Sequence, residues 1–396
     1  MPGPLSGVRV LDLSRVLAGP YCSMLLADLG ADVAKVEIPG KGDDTRAWGP
    51  PFLKGESVYF LSANRNKRSI TIDMKKPRGL ELVRDLARKA DVLLENFRPG
   101  TMDRLGLSWK ALQELNPRLI FASISGFGST GPYADRPGYD LIAQGMGGFM
   151  SFTGEEGGGP LKVGIPVADI NAGMFAAMGI MAALYEREKS GQGQRLETSL
   201  LEGQVAQLVY QAQRYFATGT SPKPEGNVHP LIAPYATFPC KDGHINLAVG
   251  NDKLFVEFCR ALKLDDLPGD ERFVTNAKRV ANRAELTRRI NAVLAPFTVA
   301  ELSAMMDKAG VPSGPILPLE KVLTNEQVLA REMVVELDHP KVGKIRQTGV
   351  PIKFDRTPGA VRTPPPGLGE HCGEVLRDWL DMDEAAVAAL AGEKVI

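Results

Sequence analysis

The sequence is poor in the residues that build metal centres and disulfide frameworks. Its 396 residues include only four cysteines and four histidines. No C-x-x-C pair occurs, and the histidines show no ligand spacing. The residues in question are Cys22, Cys240, Cys259 and Cys372, with His229, His244, His339 and His371. We therefore expect neither a metal site nor disulfides, and we interpret the cysteines as reduced core thiols of a cytoplasmic protein.

The chain also lacks an excess of either charge. Lysine plus arginine and aspartate plus glutamate number 47 each, so the net charge does not indicate nucleic acid or an anionic membrane as a partner. The opening MPGPLSGVRVLDLS has neither the basic nor the apolar segment of a signal peptide. No apolar run is expected to reach the length of a membrane span. These absences predict a soluble, cytoplasmic protein.

What the first two hundred residues do contain is an alternation of strand-like and helix-like segments. Buried-strand patterns occur at 8–14, 32–38, 68–74, 91–97 and 118–125. One predicted helix between them ends at Gly30, and another is opened by Pro77. This alternation predicts an α/β fold with a mostly parallel sheet and helices on both faces. Ligands of such sheets bind at the carboxyl ends of strands, so the loops after Ser14, Met74 and Glu95 are candidate sites.

Composition divides the chain into domains. The stretch GTSPKPEGNVHP at 219–230 is rich in proline, glycine and serine, which predicts a linker. Beyond it, HINLAVG resembles a strand and is followed by a helix capped by Asn251. We assign 1–220 and 330–396 to a large domain, 231–325 to a small α+β domain, and 221–230 and 326–329 to linkers.

A single carboxylate, Asp169, stands in the stretch GIPVADINAG at the start of a helix rich in small residues. The residues alone leave two interpretations open. Aspartate is a preferred N-cap, because its oxygen bonds the free N–H groups of the first turn. Alternatively, the positive helix end holds an ionised nucleophile between apolar walls such as Ile165 and Val167. The glycines and alanines over 173–183 would let another backbone or a ligand approach closely.

Two further patterns concern phosphate binding. GFGSTG at 126–131 matches the dinucleotide fingerprint, but Pro132 follows at once and no helix is predicted there, so we interpret it as a glycine-rich loop. Basic residues recur at the predicted strand ends, which indicates a polyanion site, solvated surface charge being the alternative. They are Arg15, Arg46, Arg65, Lys67, Arg68, Lys75, Arg98 and Arg104.

Several motifs, taken in order, resemble one enzyme family. They are VLDLSRVLAGPYCSMLLADLGADVAKVE, GDDTRAWGPP, NRNKRSITIDMK, ENFRPGTMDRLGLSW and AGMFAAMGIMAALYEREKSGQGQ. They resemble the class III coenzyme A transferases, the family of formyl-CoA transferase and carnitine CoA-transferase, and the similarity runs from Gly7 to Ile396.

The resemblance implies a Rossmann-like large domain built from both chain ends and an interlocked homodimer. It implies that Asp169 carries the acyl group covalently, with coenzyme A esters as substrates and no permanently bound cofactor. The CoA-binding positions carry over to Arg15, Ala18, Ile72, Lys75, Asn96, Phe97, Arg98 and Arg104. Acceptor-side positions fall on Leu17, Tyr59 and Tyr139.

The resemblance also bears on the acceptor acid. Leu17 stands where the formyl-CoA enzyme has glutamine, and the glycine-only loop of that enzyme is missing from 231–260; both departures argue against oxalate. The stretches HPLIAPYATFPCKDGHINLAVGNDKLF, GVPSGPI and DHPKVGKI look most like the branch that uses succinyl-CoA with dicarboxylic acids such as glutarate, itaconate, mesaconate or malate.

A dicarboxylic acceptor needs hydrogen-bond donors or a cation for its second carboxylate. His229 joins Tyr59 and Tyr139 as a candidate donor, although it would equally suit a packing role in the linker. Arg46 or Arg65 could supply the charge.

An α-methylacyl-CoA racemase is the alternative function. Such an enzyme needs a base on each face of the α-carbon, typically a histidine paired with the aspartate. The family's histidine falls in RPGYDLIA, where this sequence has Tyr139. A tyrosine of ordinary pKa is a poor base at neutral pH, which favours the transferase.

Overall fold

The computed structural model describes residues 2–396, which form two compact units. The larger unit contains the residues up to Phe149 together with Lys162–Phe216 and Glu326–Ile396, and the second contains Met150–Leu161 and Ala217–Asn325. Two assignments made from the sequence differ from this division. The segment 150–161 belongs to the second unit, where the Gly226 N–H donates to the Gly154 carbonyl; its glycine-rich sequence has no period that would indicate this. The predicted linker at 326–329 is helical.

The large unit is built on a six-stranded parallel sheet. Its strands are β1 (Arg9–Asp12), β2 (Asp32–Glu37), β5 (Lys67–Thr71), β6 (Val92–Glu95), β7 (Ile120–Ser125) and β8 (Arg195–Ser199), while the short β3 (Phe52–Leu53) and β4 (Glu56–Ser57) pair with each other outside this sheet. They lie in the order β5-β2-β1-β6-β7-β8, so the order reverses between β1 and β6. All five predicted strands are present, each shorter than expected, while the polar edge strand β8 was missed.

Alternation along the strands supplies the sheet with two apolar faces. Val10 and Val92 point into one buried cluster, and Leu11 and Leu93 point into the other. Because both faces are apolar, both must be covered by helices. This confirms the predicted α/β class.

Helices α1 and α8 cover one face, while α3, α5, α17 and α18 cover the other. The helices of the large unit are α1 (Ala18–Asp28), α2 (Val58–Ala63), α3 (Pro77–Lys89), α4 (Thr101–Arg104), α5 (Trp109–Leu115), α6 (Asp140–Met146), α7 (Phe149–Phe152, which ends in the second unit), α8 (Val167–Ser190), α9 (Leu200–Ala206), α10 (Val209–Thr218, which also ends there), α16 (Glu326–Ala330), α17 (Cys372–Leu380) and α18 (Glu384–Gly392). Proline opens α3 and Gly30, at φ +106°, follows the end of α1, as predicted.

The last seventy residues return to the large unit. They contribute a hairpin of β12 (Val334–His339) and β13 (Gly343–Thr348) and then the helices α17 and α18. Val375, Leu376 and Trp379 of α17 are fully buried in the cluster behind the sheet, and the Trp379 indole N–H donates to Asp32 on β2 over 2.8 Å. The core on this face is therefore incomplete without the C-terminal helices.

The second unit has its own core. Its antiparallel sheet has the order β11-β10-β9 and is packed with helices around Phe238, Ile245 and Phe258. The elements are β9 (Tyr235–Cys240), β10 (Gly243–Ala248), β11 (Ser313–Pro315), α11 (Asp252–Ala261), α12 (Asn276–Ala281), α13 (Arg283–Leu294), α14 (Val299–Ala309) and α15 (Leu319–Val322). Asn251 accepts from the Leu254 N–H and caps α11, as predicted.

One helix corrects an expectation about apolar runs. Val167–Ser190 spans 24 residues and is long and apolar enough to cross a membrane by length and composition. Half of its most apolar stretch is buried inside the protein, as in the core helix of a soluble protein, which passes the same test.

Candidate active site

A cavity of about 300 Å³ opens at the carboxyl edge of the parallel sheet. It lies at the reversal of strand order, between the loops that follow β1 and β6, which is where doubly wound sheets bind ligands. The loop after β7 and the start of α8 complete its walls. Among the residues predicted from the sequence, it brings together Arg15, Leu17, Ala18, Asn96, Phe97, Arg98, Tyr139 and Asp169.

Asp169 is the third residue of α8, so the interpretation of this residue as an N-cap is wrong. The N-cap is Pro166, which gives no side-chain hydrogen bond. Within residues 2–396 no side chain or N–H group forms a hydrogen bond or ion pair with the Asp169 carboxylate. Burial, and next the charge of Asp140, raises the pKa of Asp169 to about 7. An unpartnered carboxylate of this kind is suited to act as a nucleophile or a base.

Asp140 is a neighbour of Asp169 that the sequence did not indicate. It lies at the start of α6, where its Oδ1 accepts from the Ala168 N–H over 2.9 Å and its Oδ2 accepts from the Gln144 amide over 2.7 Å. Asp140 thus takes the capping role at α8 that was considered for Asp169. Its signal in the sequence is weak, because an aspartate after a turn-like segment usually indicates a solvated loop.

Close packing fixes the helix that carries Asp169. A Cβ on Gly173 would lie 2.6 Å from the Ala18 carbonyl oxygen, so α8 and α1 meet backbone to backbone only because this position is glycine. The expectation that the small residues of α8 admit another backbone is therefore confirmed. Since Leu17 and Ala18 line the cavity, this contact also fixes Asp169 relative to the loop after β1.

The loop after β1 is held by a side-chain amide. Asn96 accepts from the Arg15 N–H over 2.8 Å and donates to the Arg15 carbonyl over 2.7 Å. The next residue, Val16, has φ +68°, an unfavourable conformation for a β-branched residue, and its N–H is held by Asp43. Asn96 therefore positions this loop, and its predicted part in CoA binding stays a prediction.

The three residues predicted for the acceptor side, Leu17, Tyr59 and Tyr139, differ in solvent exposure. Leu17 is buried, whereas Tyr139 is 63% exposed. Tyr59 is half-buried with its ring edge against Trp48, and burial, with the nearby charges of Asp169 and Asp140, raises the pKa of Tyr59 to about 12. The Tyr59 hydroxyl therefore stays protonated and is available as a donor.

Three predicted CoA-binding residues lie outside the lining of the cavity. Ile72 is fully buried in the core, so only its backbone can meet a ligand. Lys75 and Arg104 are exposed and follow β5 and β6 at the same edge of the sheet as the cavity. A ligand that also reached these two cations would have to extend along that edge.

Half of the predicted basic cluster is engaged in ion pairs. Arg46 forms two hydrogen bonds with Glu37, and Arg65 does the same with Asp28. The interpretation of Arg46 or Arg65 as a free cation for the substrate is therefore wrong. Lys67 and Arg68 are likewise paired with carboxylates within the unit. The sequence shows the arginines but cannot show carboxylates that only folding brings beside them.

A buried ionic cluster lies beneath the loop after β1. Lys35 pairs with Asp43 over 2.9 Å and donates to the Ser14 carbonyl. Burial alone would raise the pKa of Asp12, but Lys35 and Lys67, with hydrogen bonds from Ser14 and Ser23, hold it below the ordinary value. The carboxylates of this cluster remain charged because cations and hydroxyl groups surround them.

His229 belongs to the second unit, where its ring stacks on Tyr235 with 5.1 Å between centroids. Its Nδ1 accepts from the Leu231 N–H. No group of three or more His, Cys, Asp or Glu side chains among residues 2–396 is arranged to hold a metal ion.

Comparisons with known proteins agree on one family. Residues 5–372 match the family model described as CoA-transferase family III. The chain is 45% identical to a succinate–glutarate CoA-transferase of Agrobacterium fabrum, over 97% of both chains. It is 43% identical to a succinyl-CoA:glutarate CoA-transferase of Mus musculus, over 99% of this chain and 90% of the relative. Its structure is similar to that of a CAIB/BAIF family protein from Brucella suis, with a TM-score of 0.84 and 43% identity over 96% of this chain and 100% of that one.

Proposed function

The chain belongs to CoA-transferase family III, and on that premise we propose that it moves coenzyme A from succinyl-CoA to a short dicarboxylic acid such as glutarate. The family membership makes it an enzyme of the class III CoA-transferase type, as the resemblance implied. The observation that carries the proposal is the unpartnered Asp169 carboxylate at the wall of a cavity that also contains three arginines, Arg15, Arg98 and Arg136.

Asp169 supplies the covalent chemistry in this proposal. Its carboxylate attacks the thioester carbonyl of succinyl-CoA, which forms a mixed anhydride and releases the CoA thiolate. The thiolate then attacks the aspartyl carbonyl and expels succinate, which leaves an enzyme–CoA thioester on Asp169. Dividing the exchange into such steps is covalent catalysis, and it conserves the energy of the thioester.

The second half of the reaction repeats these steps with the acceptor. Its carboxylate attacks the aspartyl thioester, which forms a second anhydride and releases the thiolate again. The thiolate attacks the acceptor's acyl carbon, so that the product thioester leaves and Asp169 is regenerated as a carboxylate. No oxidant, metal or external base is needed, because each step exchanges one acyl bond for another.

The start of α1 can stabilise the oxyanions of these steps. Its N-cap, Leu17, provides no side-chain acceptor for the free N–H groups of the first turn. Leu17 and Ala18 line the cavity with Asp169. Backbone N–H groups at a helix N-terminus suit a developing negative charge, both as donors and through the helix dipole. We assign the Ala18 region to this role.

In this proposal, coenzyme A is recognised by the basic residues at the carboxyl edge of the parallel sheet. Arg15 stacks on Phe97, with its guanidinium carbon 5.3 Å from the ring centroid, and Arg98 and the exposed Arg104 follow on the next loop. Charge-assisted bonds to phosphate contribute about 1.5–3 kcal/mol each. Replacing Arg98 or Arg104 by alanine should therefore chiefly raise the KM for every CoA ester.

A second copy of the chain completes the proposed enzyme. One row along α8 exposes large apolar side chains, among them Met174, Met178 and Tyr185, the last 67% exposed. Apolar rows of this kind mark interaction surfaces, and the family resemblance implies an interlocked homodimer. Threaded chains cannot separate without unfolding, so sedimentation at nanomolar concentration should find a dimer. A folded monomer would contradict this part of the proposal. Localisation in the cytoplasm remains a prediction.

The decisive experiment is a panel of free acids offered with labelled succinyl-CoA and read by mass spectrometry. Glutarate, succinate, itaconate, mesaconate and malate should accept CoA, whereas butyrate, an aromatic acid and oxalate should accept little. Hydroxylamine or borohydride added during turnover should modify Asp169. Epimerisation of a 2-methylacyl-CoA without CoA exchange would favour the racemase instead.

A further inference from the structure

A dicarboxylic acceptor, if the proposed function holds, brings a second carboxylate into the cavity. A carboxylate removed from water requires a cation or several donors. The two cations suggested by the sequence are already bound to Glu37 and Asp28. The partner of the second carboxylate must therefore be sought among other residues.

Three arginines line the cavity: Arg15, Arg98 and Arg136. Within residues 2–396 none of them forms an ion pair with a carboxylate. Arg15 rests on Phe97, and Arg98 also lines an adjoining cavity beneath the loop after β6. Both therefore lie on the side assigned to coenzyme A. Arg136 comes from a different segment of the lining, the one that leads into Tyr139 and α6.

The guanidinium of Arg136 lines the cavity and rests against two aromatic rings. Its central carbon lies 4.6 Å from the centroid of the Tyr133 ring and 5.7 Å from that of Phe127. These two rings stand at 69° to each other and pack around the guanidinium, and within residues 2–396 no carboxylate pairs with it. This planar fork matches a carboxylate in bidentate geometry, which a lysine ammonium cannot do.

The segment that carries Arg136 is fixed to the sheet. A Cβ on Gly126 would lie 2.8 Å from the Gly138 Cα, so the two backbones touch at the end of β7. Two residues later, Asp140 caps the helix of Asp169. Arg136 and the nucleophile are thus connected through short, hydrogen-bonded segments.

We propose that Arg136 binds the distal carboxylate of the acceptor acid, and of the succinyl group of the donor, and thereby selects dicarboxylic acids. Arg136 is a specificity-determining residue in this assignment, while Asp169 performs the chemistry. A monocarboxylic acid of the same length would leave the fork unoccupied and lose this interaction.

The test compares Arg136→Gln and Arg136→Lys with the wild type, using butyryl-CoA as donor so that only the acceptor carries a distal carboxylate. For glutarate, kcat/KM should fall about 10- to 100-fold in Arg136→Gln, mostly through KM. Arg136→Lys should retain part of the activity. The rate of exchange of isotopically labelled butyrate into butyryl-CoA should be unchanged in both variants, which also shows that they fold. Arg377→Ala, an exposed arginine on α17, is the matched control and should behave as the wild type.

A charge reversal separates recognition from a structural effect. Arg136→Glu should prefer 5-aminopentanoate to glutarate, because the distal ammonium of that acid would meet a carboxylate. If the wild type does not prefer glutarate to butyrate, the proposed dicarboxylate function fails. If the wild type shows this preference and Arg136→Gln keeps it undiminished, the role of Arg136 alone is overturned.

Discussion

Two groups of carboxylates in the large unit have opposite surroundings. In the cluster beneath β1, Asp12 and Asp43 are buried beside Lys35, and their pKa values lie below the ordinary value despite the cost of burial. At the start of α8, no cation offsets burial, and burial together with the charge of Asp140 raises the pKa of Asp169 to about 7. The first arrangement stabilises the fold, whereas the second keeps a reactive group at the expense of stability. Burial alone therefore does not distinguish Asp169 from the structural carboxylates; the lack of an ion-pair or hydrogen-bond partner within residues 2–396 does.

The largest expected effect is the loss of transfer when the unpaired carboxylate is removed. Asp169→Asn should lower CoA exchange roughly 10⁴-fold or more, because an essential nucleophile is missing. Asp135→Asn, an exposed neighbour of the cavity loop, is the control. Near-normal turnover in Asp169→Asn, measured with labelled CoA, would end the covalent mechanism.

The same variant should be more stable than the wild type at pH 8. A carboxyl group whose folded pKa is raised binds its proton more tightly in the folded state, so its favourable contribution is lost as pH rises through about 7. Asparagine does not ionise, so Asp169→Asn loses no stability at this position as the pH rises. The difference in Tm should shrink as the pH falls from 7 and level off below 3.8, where the aspartate is protonated in both the folded and the unfolded state. Equal Tm values at pH 8 would contradict the environment assigned to Asp169.

Removing the cation from the paired cluster should chiefly lower the free energy of unfolding rather than alter the chemical step. Lys35→Met leaves Asp12 and Asp43 buried without their shared cation, and removal of one partner from a buried ion pair costs about 3–5 kcal/mol. Denaturant unfolding measures this loss, with Lys110→Met on the exposed side of α5 as the control. A change below 1 kcal/mol would mean that water or another group replaces the lysine.

The pH dependence of the two groups should differ. Only the ionised form of Asp169 attacks the thioester, so the rate of enzyme acylation should fall tenfold per pH unit below about 7. The paired carboxylates contribute stability that is present above their unfolded pKa values and lost only at more acid pH. Rapid-quench measurement of succinate release from succinyl-CoA should therefore show inactivation near pH 6 in a protein that remains folded. A rate independent of pH from 5 to 8 would contradict this.

The smallest expected effect concerns the neighbour of the nucleophile. Asp140→Asn removes the second cause of the raised pKa of Asp169 and leaves the larger cause, burial. The inflection of the pH–rate profile should move below 7 while staying above the ordinary value of 3.8. An unchanged inflection would show that burial alone sets the pKa.

Local signals in the sequence were sufficient for much of the fold. Pro77, Gly30 and Asn251 mark helix ends because each solves a backbone problem that involves only adjacent residues. The apolar strands could be recognised because both faces of the sheet are covered. The polar strand β8 and the segment 150–161 could not, since their positions depend on long-range contacts.

The site was predictable to a lesser degree, for a related reason. Asp169 could be singled out because it stands alone in an apolar stretch, but its helix starts three residues earlier than a cap at Asp169 would require. Asp140, Arg46 and Arg65 depend on partners that are distant in sequence. Arg136, likewise, is distinguished from the paired arginines only by the lack of a carboxylate partner, which the sequence does not show.

The return of the chain to the large unit has a consequence for its synthesis. The sheet is made within the first two hundred residues, but one of its faces is closed by Val375, Leu376 and Trp379. On the ribosome, the second unit has left the exit tunnel before these residues are translated, and domains fold as units during synthesis. The nascent large unit must therefore wait with an open apolar face until the last seventy residues emerge. The second unit thus completes its fold before the large unit, although most residues of the large unit are made first.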